Sequence, residues 1–451
     1  MAIDFTGAQA DRSWRRDREG LGVWKDQGKV AFMGWGMSPI DRRWDGVSFD
    51  RTLGAFSILA AQRALADAGL DVSDVDGLFM CPDNMAGANS GISGSWGPTR
   101  PYFPAPYDSE DGLTVVTNKW VLNNWPELNV KENIKFAPDD VPAIGEGLGY
   151  TAQMVADGKC EVALYIYTAN NLDGRYRRGG AAALPTSSGP GQWNSPWGAN
   201  VIDLQLNTTF ALAEYCHHYG VNWDDLMFPL VMNEHRNGLM NEWGFYTTNG
   251  ASHLNREEYA NSRPITTPAH IWDYDRPVNA VGAFVMVSSA RAQGMKQKPV
   301  YVMNHNQGSG GSASSSSITR PEYEQANLKV ARMVYEGSGW KPEDVDIFNP
   351  YDGFSSFMPF SLEAFGWHGV KYGEAKDFVN GDISVEGLHP IHSGGGNLGN
   401  GRTRTAMYID SIEQLRGTAG RRAVNVKAET AICAFAPALS AAYLTVSNQP
   451  S

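Results

Sequence analysis

Cysteine is scarce in this 451-residue chain: Cys81, Cys160, Cys216 and Cys433 are spread along it without a CxxC pair. That spacing offers neither a disulfide framework nor a zinc ribbon, and it fits a reducing, cytoplasmic setting. Long apolar runs are also missing. The amino terminus, MAIDFTGAQADRSWRRDREG, is polar and charged, and no later stretch reaches the roughly 18 apolar residues of a membrane span. No membrane partner is expected. Basic charge is short too: 37 Lys and Arg against 49 Asp and Glu leave a net charge of −12. Nucleic acid is therefore not expected as a partner, because phosphate contacts need clustered cations. A few local basic residues would still hold one small anionic ligand.

What is present is an ordinary globular composition, 42% hydrophobic and 19% charged, with 14 tryptophans. Three irregular stretches stand out: Pro82–Pro106, Arg177–Asn200 and Gln307–Ser317. The first two carry tryptophans and are predicted to pack on the core or on another subunit. The last, rich in Gly and Ser, reads as a surface loop.

The most informative feature is an internal echo. FSILAAQRALADAGLDVSDVDGLF (Phe56–Phe79) has apolar residues at helical spacing, then Gly69, an acidic turn and a strand. ANLKVARMVYEGSGWKPEDVDIF (Ala326–Phe348) repeats that grammar around Gly339. Two such units so far apart imply a chain of two similar halves. Strands are predicted at Lys29–Met37, Glu161–Tyr167, Ala283–Ser288 and Pro299–Met303, with a helix at Gly147–Asp157. Strands alternating with helices predict an α/β protein with parallel pairing.

In their order, VAFMGWGMSP, ALADAGLDVSDVDGLF, GEGLGYTAQMVADGKCEVALYIY, YDGF and HSGGGNLGNGR resemble the thiolase-like superfamily from about Lys29 to Val446. Within it they resemble the sterol-carrier-protein-x type thiolases and their relatives, the acyl-CoA retro-aldolases of steroid side-chain breakdown. The resemblance implies the thiolase fold: duplicated βαβαβαββ halves, each with a five-stranded sheet, in a five-layered αβαβα arrangement. Residues 1–290 would form the first half, with a loop domain inserted at about 170–272, and residues 291–451 the second.

The resemblance also implies a chemistry with one part missing. The family's nucleophilic cysteine lies three residues before a Gly-Leu, here Gly147-Leu148, and that position is Ile144. Isoleucine cannot be acylated, which leaves reactions that use the thioester enolate without an acyl-enzyme. Retro-aldol cleavage of a β-hydroxyacyl-CoA to a shorter acyl-CoA and a ketone or aldehyde is one, with no cofactor beyond the coenzyme A of the substrate.

By the family's motifs, Tyr351 would take the hydroxyl proton if a nearby cation lowers its pKa, and Asp352 would orient its neighbours or a water. His392 would donate to the thioester oxygen, and Arg402, at the family's Gly-His position, would supply positive charge, with Arg404 or Tyr408 as alternatives. Gly395, Gly396 and Gly401 would let the backbone approach the ligand. Cys433, where thiolases carry a second cysteine, reads as an ordinary buried thiol. No metal site is expected: His217 and His218 are adjacent on a helix and point to different faces. The glycine loop matches neither a P-loop nor a dinucleotide fingerprint. A homodimer with a small zinc-ribbon and OB-fold partner is implied by the relatives. The rival readings are a thiolase or acyltransferase that recruits Cys433 or Cys81, and a non-catalytic scaffold subunit.

Overall fold

The computed structural model describes residues 2–8, 10–45, 47–81, 116–130, 132–169, 204–307, 319–435 and 442–450. Pro82–Pro106, Arg177–Asn200 and the Gly/Ser run after Gln307 lie outside the described residues. The main elements of the first half are β1 (Val30–Met37), α1 (Leu53–Ala68), β2 (Gly77–Cys81), α2 (Ile144–Ala156), β3 (Val162–Ala169), α3 (Leu204–Tyr219), α4 (Trp223–Gly238) and β4 (Ala280–Ser288). Those of the second are β5 (Val300–Gln307), α5 (Arg320–Ser338), β6 (Ile347–Asn349), α6 (Met358–Phe365), α7 (Ala406–Arg416), β7 (Thr430–Phe435) and β8 (Ala442–Ser447).

The echoed segments become α1–β2 and α5–β6. Thr52 caps α1 by accepting from the Ala55 N–H, and Gly69 ends it at φ 69°. Thr319 and Glu322 form a capping box on α5, and Gly339 ends it at φ 72°. A β-carbon is disfavoured at both left-handed positions, which is why the same glycine recurs.

The strands form one sheet in the order β2-β3-β4-β1-β5-β8-β7-β6. Read outward from its centre, each half has the same order, and the halves meet where Ala31 faces Tyr301 and Phe32 faces Val300. Four strands per half are seen among the described residues. The expectation of parallel pairing holds only for β2 with β3 and β6 with β7. The other neighbours are antiparallel: β4 and β8 return between the first and third strands of their half, and β1 runs against β5 where the halves meet. Strand burial is almost continuous, since helices cover both faces.

Helices α2 and α7 lie in the middle and are buried along most of their length. A β-carbon on Gly147 would lie 2.5 Å from the Tyr165 hydroxyl on β3, and one on Gly149 would lie 2.5 Å from Gln307 Nε2 on β5. The small residues let α2 sit against a strand of each half at once. From α7, the Tyr408 ring packs edge-on to Phe284 of β4, and Arg416 reaches the Phe32 carbonyl at 3.3 Å. Outer helices α1 and α5 pack against β1 and β5. Helices α3 and α4 belong to the segment between β3 and β4, and α4 carries residues into the site. No helix among the described residues is long and apolar enough to cross a membrane.

Candidate active site

Two loops of the second half run side by side, joined by a parallel bridge between Phe348 and Ile391. The first follows the short strand β6. Its Pro350 has no N–H to continue a ladder, and Tyr351 and Asp352 come next. Tyr351 is buried, with its ring 5.6 Å from that of Phe357. A β-carbon at Gly353 would lie 2.2 Å from the Tyr351 hydroxyl, so glycine is required beside it. The Gly353 carbonyl accepts the Asp275 N–H at 3.2 Å, which ties this loop to the chain entering β4.

The charged groups that act on the Tyr351 phenol are Arg402, Asp275, Arg404 and Asp352. Burial pushes its pKa up, Arg402 and Arg404 pull it down, and Asp275 and Asp352 push it up again, with a net rise. The sequence called for a cation that lowers this phenol. Two guanidiniums are there, but in the resting protein burial outweighs them. Arg402 Nη1 is 3.4 Å from Asp275 Oδ1, and its backbone N–H donates to the Arg276 carbonyl at 2.7 Å. Arg404 donates from Nη1 to the Tyr167 hydroxyl at 2.5 Å. Both arginines are buried. Tyr408 lies deep in α7, where burial pushes its hydroxyl well up, and it is not among the groups acting on Tyr351.

Asp352 is fully buried and hydrogen-bonded to the second loop. Its Oδ1 accepts from Asn397 Nδ2 at 2.8 Å and its Oδ2 from the Leu398 N–H at 2.9 Å. The glycines of the second loop serve the protein's own packing. A β-carbon at Gly395 would lie 2.4 Å from the Gly238 nitrogen on α4, one at Gly396 2.1 Å from Asp352 Oδ2, and one at Gly401 2.7 Å from Val278.

His392 is also buried, and both ring nitrogens face protein atoms. Nε2 is 2.6 Å from the Pro350 carbonyl, and Nδ1 is 2.9 Å from Glu234 Oε1 and 3.8 Å from Asp352 Oδ2. The expected donation from His392 to a thioester oxygen is therefore not what this geometry provides. Its ring belongs to a buried cluster whose donor atoms all lie within 4.8 Å of one another. Nδ1 and Oε1 are in direct contact, but the pair is not aligned as a hydrogen bond. Burial opposes charge on His392, but the Glu234 and Asp352 carboxyl groups hold its pKa up at about 9.

Ile144 is the first residue of α2 and is fully buried. Cys433, on β7, points its thiol at the Leu444 carbonyl at 3.7 Å, and burial pushes its pKa up. Cys81 is likewise buried. Glu234, Asp275, Asn397 and Tyr167 were not found from the sequence. A signal for Glu234 existed in NEHRNGLMN, where three asparagines recur every fourth residue, the spacing of one helix face.

A family model described as thiolase C-terminal domain-like matches residues 308–446. The chain is 37% identical over 168 residues to a 17-hydroxy-3-oxo-4-pregnene-20-carboxyl-CoA lyase of Mycobacterium tuberculosis, an alignment covering 36% of this chain and 43% of that protein. It therefore spans less than half the length of that relative. It is 28% identical over 369 residues to a steroid side-chain-cleaving aldolase of Thermomonospora curvata, covering 80% of this chain and 84% of the other. Among solved structures, the Ltp2-ChsH2(DUF35) aldolase superposes with a TM-score of 0.69 at 23% identity, over 93% of this chain and 98% of that one. An SCP2-thiolase-like protein of Mycobacterium smegmatis superposes with a TM-score of 0.58 at 16% identity, over 94% and 79% of the two chains.

Proposed function

We propose, for a chain that belongs to the thiolase-like superfamily, that it is a carbon–carbon lyase cleaving a β-hydroxyacyl-CoA by a retro-aldol reaction. The observation that carries this reading is the Tyr351 phenol under the influence of two buried guanidiniums, Arg402 and Arg404. Ile144 at the start of the central helix supports it by removing acyl transfer through that position. The relatives named as a lyase and as a side-chain-cleaving aldolase support it from outside the chain.

In this reading the minor phenolate form of Tyr351, its own proton released to solvent, accepts the proton of the β-hydroxyl. The oxygen becomes a carbonyl, the Cα–Cβ bond breaks, and its electron pair moves onto the thioester as an enolate. A proton returned to Cα gives the shortened acyl-CoA, so no oxidant and no free coenzyme A are consumed. Arg402 and Arg404 offset the charge that passes from the phenolate to the enolate in a dry site. Asp352 fixes the loop and acts one step from the reacting atoms. The substrate we favour carries a steroid side chain, as the relatives' names suggest. We also favour a homodimer with a small zinc-ribbon and OB-fold partner, in keeping with the two proteins paired in the Ltp2-ChsH2(DUF35) aldolase.

The test is incubation of the purified chain, with and without such a partner, with a branched 3-hydroxyacyl-CoA and mass-spectrometric product analysis. A ketone or aldehyde plus a shortened acyl-CoA without added coenzyme A is the expected result. Cleavage only with free coenzyme A would replace the reading by a thiolase, and silence under all conditions by a scaffold. Tyr351→Phe is expected to lower kcat by about 10²- to 10⁴-fold, the range of a lost general base. Unchanged turnover would remove Tyr351 from its role.

A further inference from the structure

Helix α4 lies along the glycine loop and reads its carbonyls in succession. Asn233 Nδ2 donates to the Ile391 carbonyl at 2.9 Å, Asn237 Nδ2 to that of His392 at 2.9 Å, and Asn241 Nδ2, just past the helix, to that of Gly394 at 2.6 Å. A β-carbon at Gly238 would lie 2.2 Å from the Gly399 carbonyl, so the helix and loop backbones touch here. Glu234 sits on this face with its carboxyl group in the cluster of Asp352 and His392. All three side chains have 0% exposure.

Such a dry cluster has a preferred charge. Two carboxylates and one imidazolium would leave a net negative charge without solvent, which is costly, whereas one added proton makes the group neutral. The hydrogen bonds decide which acid takes it. Asp352 receives two N–H donors. Neither oxygen of Glu234 has an aligned donor. His392 Nε2 is 2.6 Å from the Pro350 carbonyl, and its Nδ1 lies 2.9 Å from Glu234 Oε1 without hydrogen-bond alignment, so both nitrogens face oxygen atoms and suit a positive ring.

We propose that Glu234 is a positioning residue that keeps a proton inside this cluster, its own carboxyl group neutral beside a positive His392 at neutral pH. With the asparagine ladder, the cluster then holds the loop that carries Arg402 against Tyr351. Burial, which pushes the Glu234 carboxyl well up, acts in the same direction, as does the neighbouring Asp352, against the downward pull of His392. The kinetic part of this inference rests on the lyase reading above; the spectroscopic part does not.

The experiment uses the full chain and its Glu234→Gln and Glu234→Ala variants. Infrared difference spectra of wild type against Glu234→Gln at neutral pH are expected to show the carbonyl stretch of one protonated carboxylic acid in the wild type. Glutamine keeps a neutral donor and acceptor, so kcat should stay within about threefold, whereas Glu234→Ala should lower kcat by about tenfold or more with KM within twofold. Hydrogen exchange over residues 391–402 should accelerate in Glu234→Ala and not in Glu234→Gln. Absence of the acid band, or equal damage in the two variants, would overturn the proposal. A wild type that cleaves no thioester would defeat the lyase reading alone, because the infrared and exchange results still decide the role of Glu234.

Discussion

Asn397 donates from Nδ2 to Asp352 Oδ1 at 2.8 Å and accepts, on Oδ1, the Arg404 N–H at 2.8 Å. One amide side chain thus connects the tyrosine loop to the arginine loop. Arg404 has φ 59°, a conformation uncommon outside glycine, so its backbone needs outside support. Asn397→Ala would leave a buried carboxylate oxygen and a buried N–H each short of a partner. The expected cost is about 2–6 kcal/mol, from about 1–3 kcal/mol for each of the two orphaned groups, read as a lower urea midpoint with an unchanged m-value. A stability equal to wild type would mean that water or a neighbour replaces the amide.

Gly396 separates those loops from the histidine cluster. Its φ is 53°, and an added β-carbon would lie 2.1 Å from Asp352 Oδ2 and 2.9 Å from His392 Nδ1. Gly396→Ala should therefore destabilise by at least about 2 kcal/mol, through left-handed strain plus overpacking of a closed polar site. Thermal unfolding checks this, and a Tm at or above that of wild type would contradict the close approach.

The duplication was legible because each copy needs the same local devices: an amphipathic helix, a left-handed glycine and a strand that follows an acidic turn. Strand direction was not, since a fully apolar run such as Ala280–Ser288 reads the same whichever way it pairs. In the site, Tyr351 and Asp352 were found through a motif that stays contiguous in the chain. Glu234 and Asp275 come from the segment between β3 and β4 and meet the motif only in space. His392 shows the same limit: its place in the glycine-loop motif suggested a donor to substrate, but the groups facing its two nitrogens, Pro350 and Glu234, are set by the fold.

Cys433 discriminates the lyase from a recruited-cysteine acyltransferase. Its thiol is buried on β7 and held protonated, which makes it a poor nucleophile. Cys433→Ala is expected to keep full turnover while losing about 1–2 kcal/mol of stability for the deleted sulfur. No acylated protein should appear in mass spectra of the working enzyme. Loss of activity in this variant with the fold intact would favour the thiolase reading.

Glu363 on α6 gives a pH dependence of the fold. Its Oε1 accepts from the Tyr215 hydroxyl on α3 and, at 2.9 Å each, from the N–H groups of Gly373 and Ala375, while its Oε2 has no partner. Burial raises its pKa from 4.5 to about 7 against the pull of those donors. The folded state thus holds a proton that the unfolded state has released between those values. Stability from this group is complete below pH 4.5 and falls as pH rises to about 7. At most about 3.5 kcal/mol is involved, because each pH unit between the two values is worth about 1.4 kcal/mol. Glu363→Gln keeps an oxygen for all three donors and carries no charge. It should match the wild type near pH 5 and exceed it in urea midpoint at pH 8. A variant that is less stable at pH 8 would show that the ionised carboxylate, and not the neutral acid, is what joins α3 to α6.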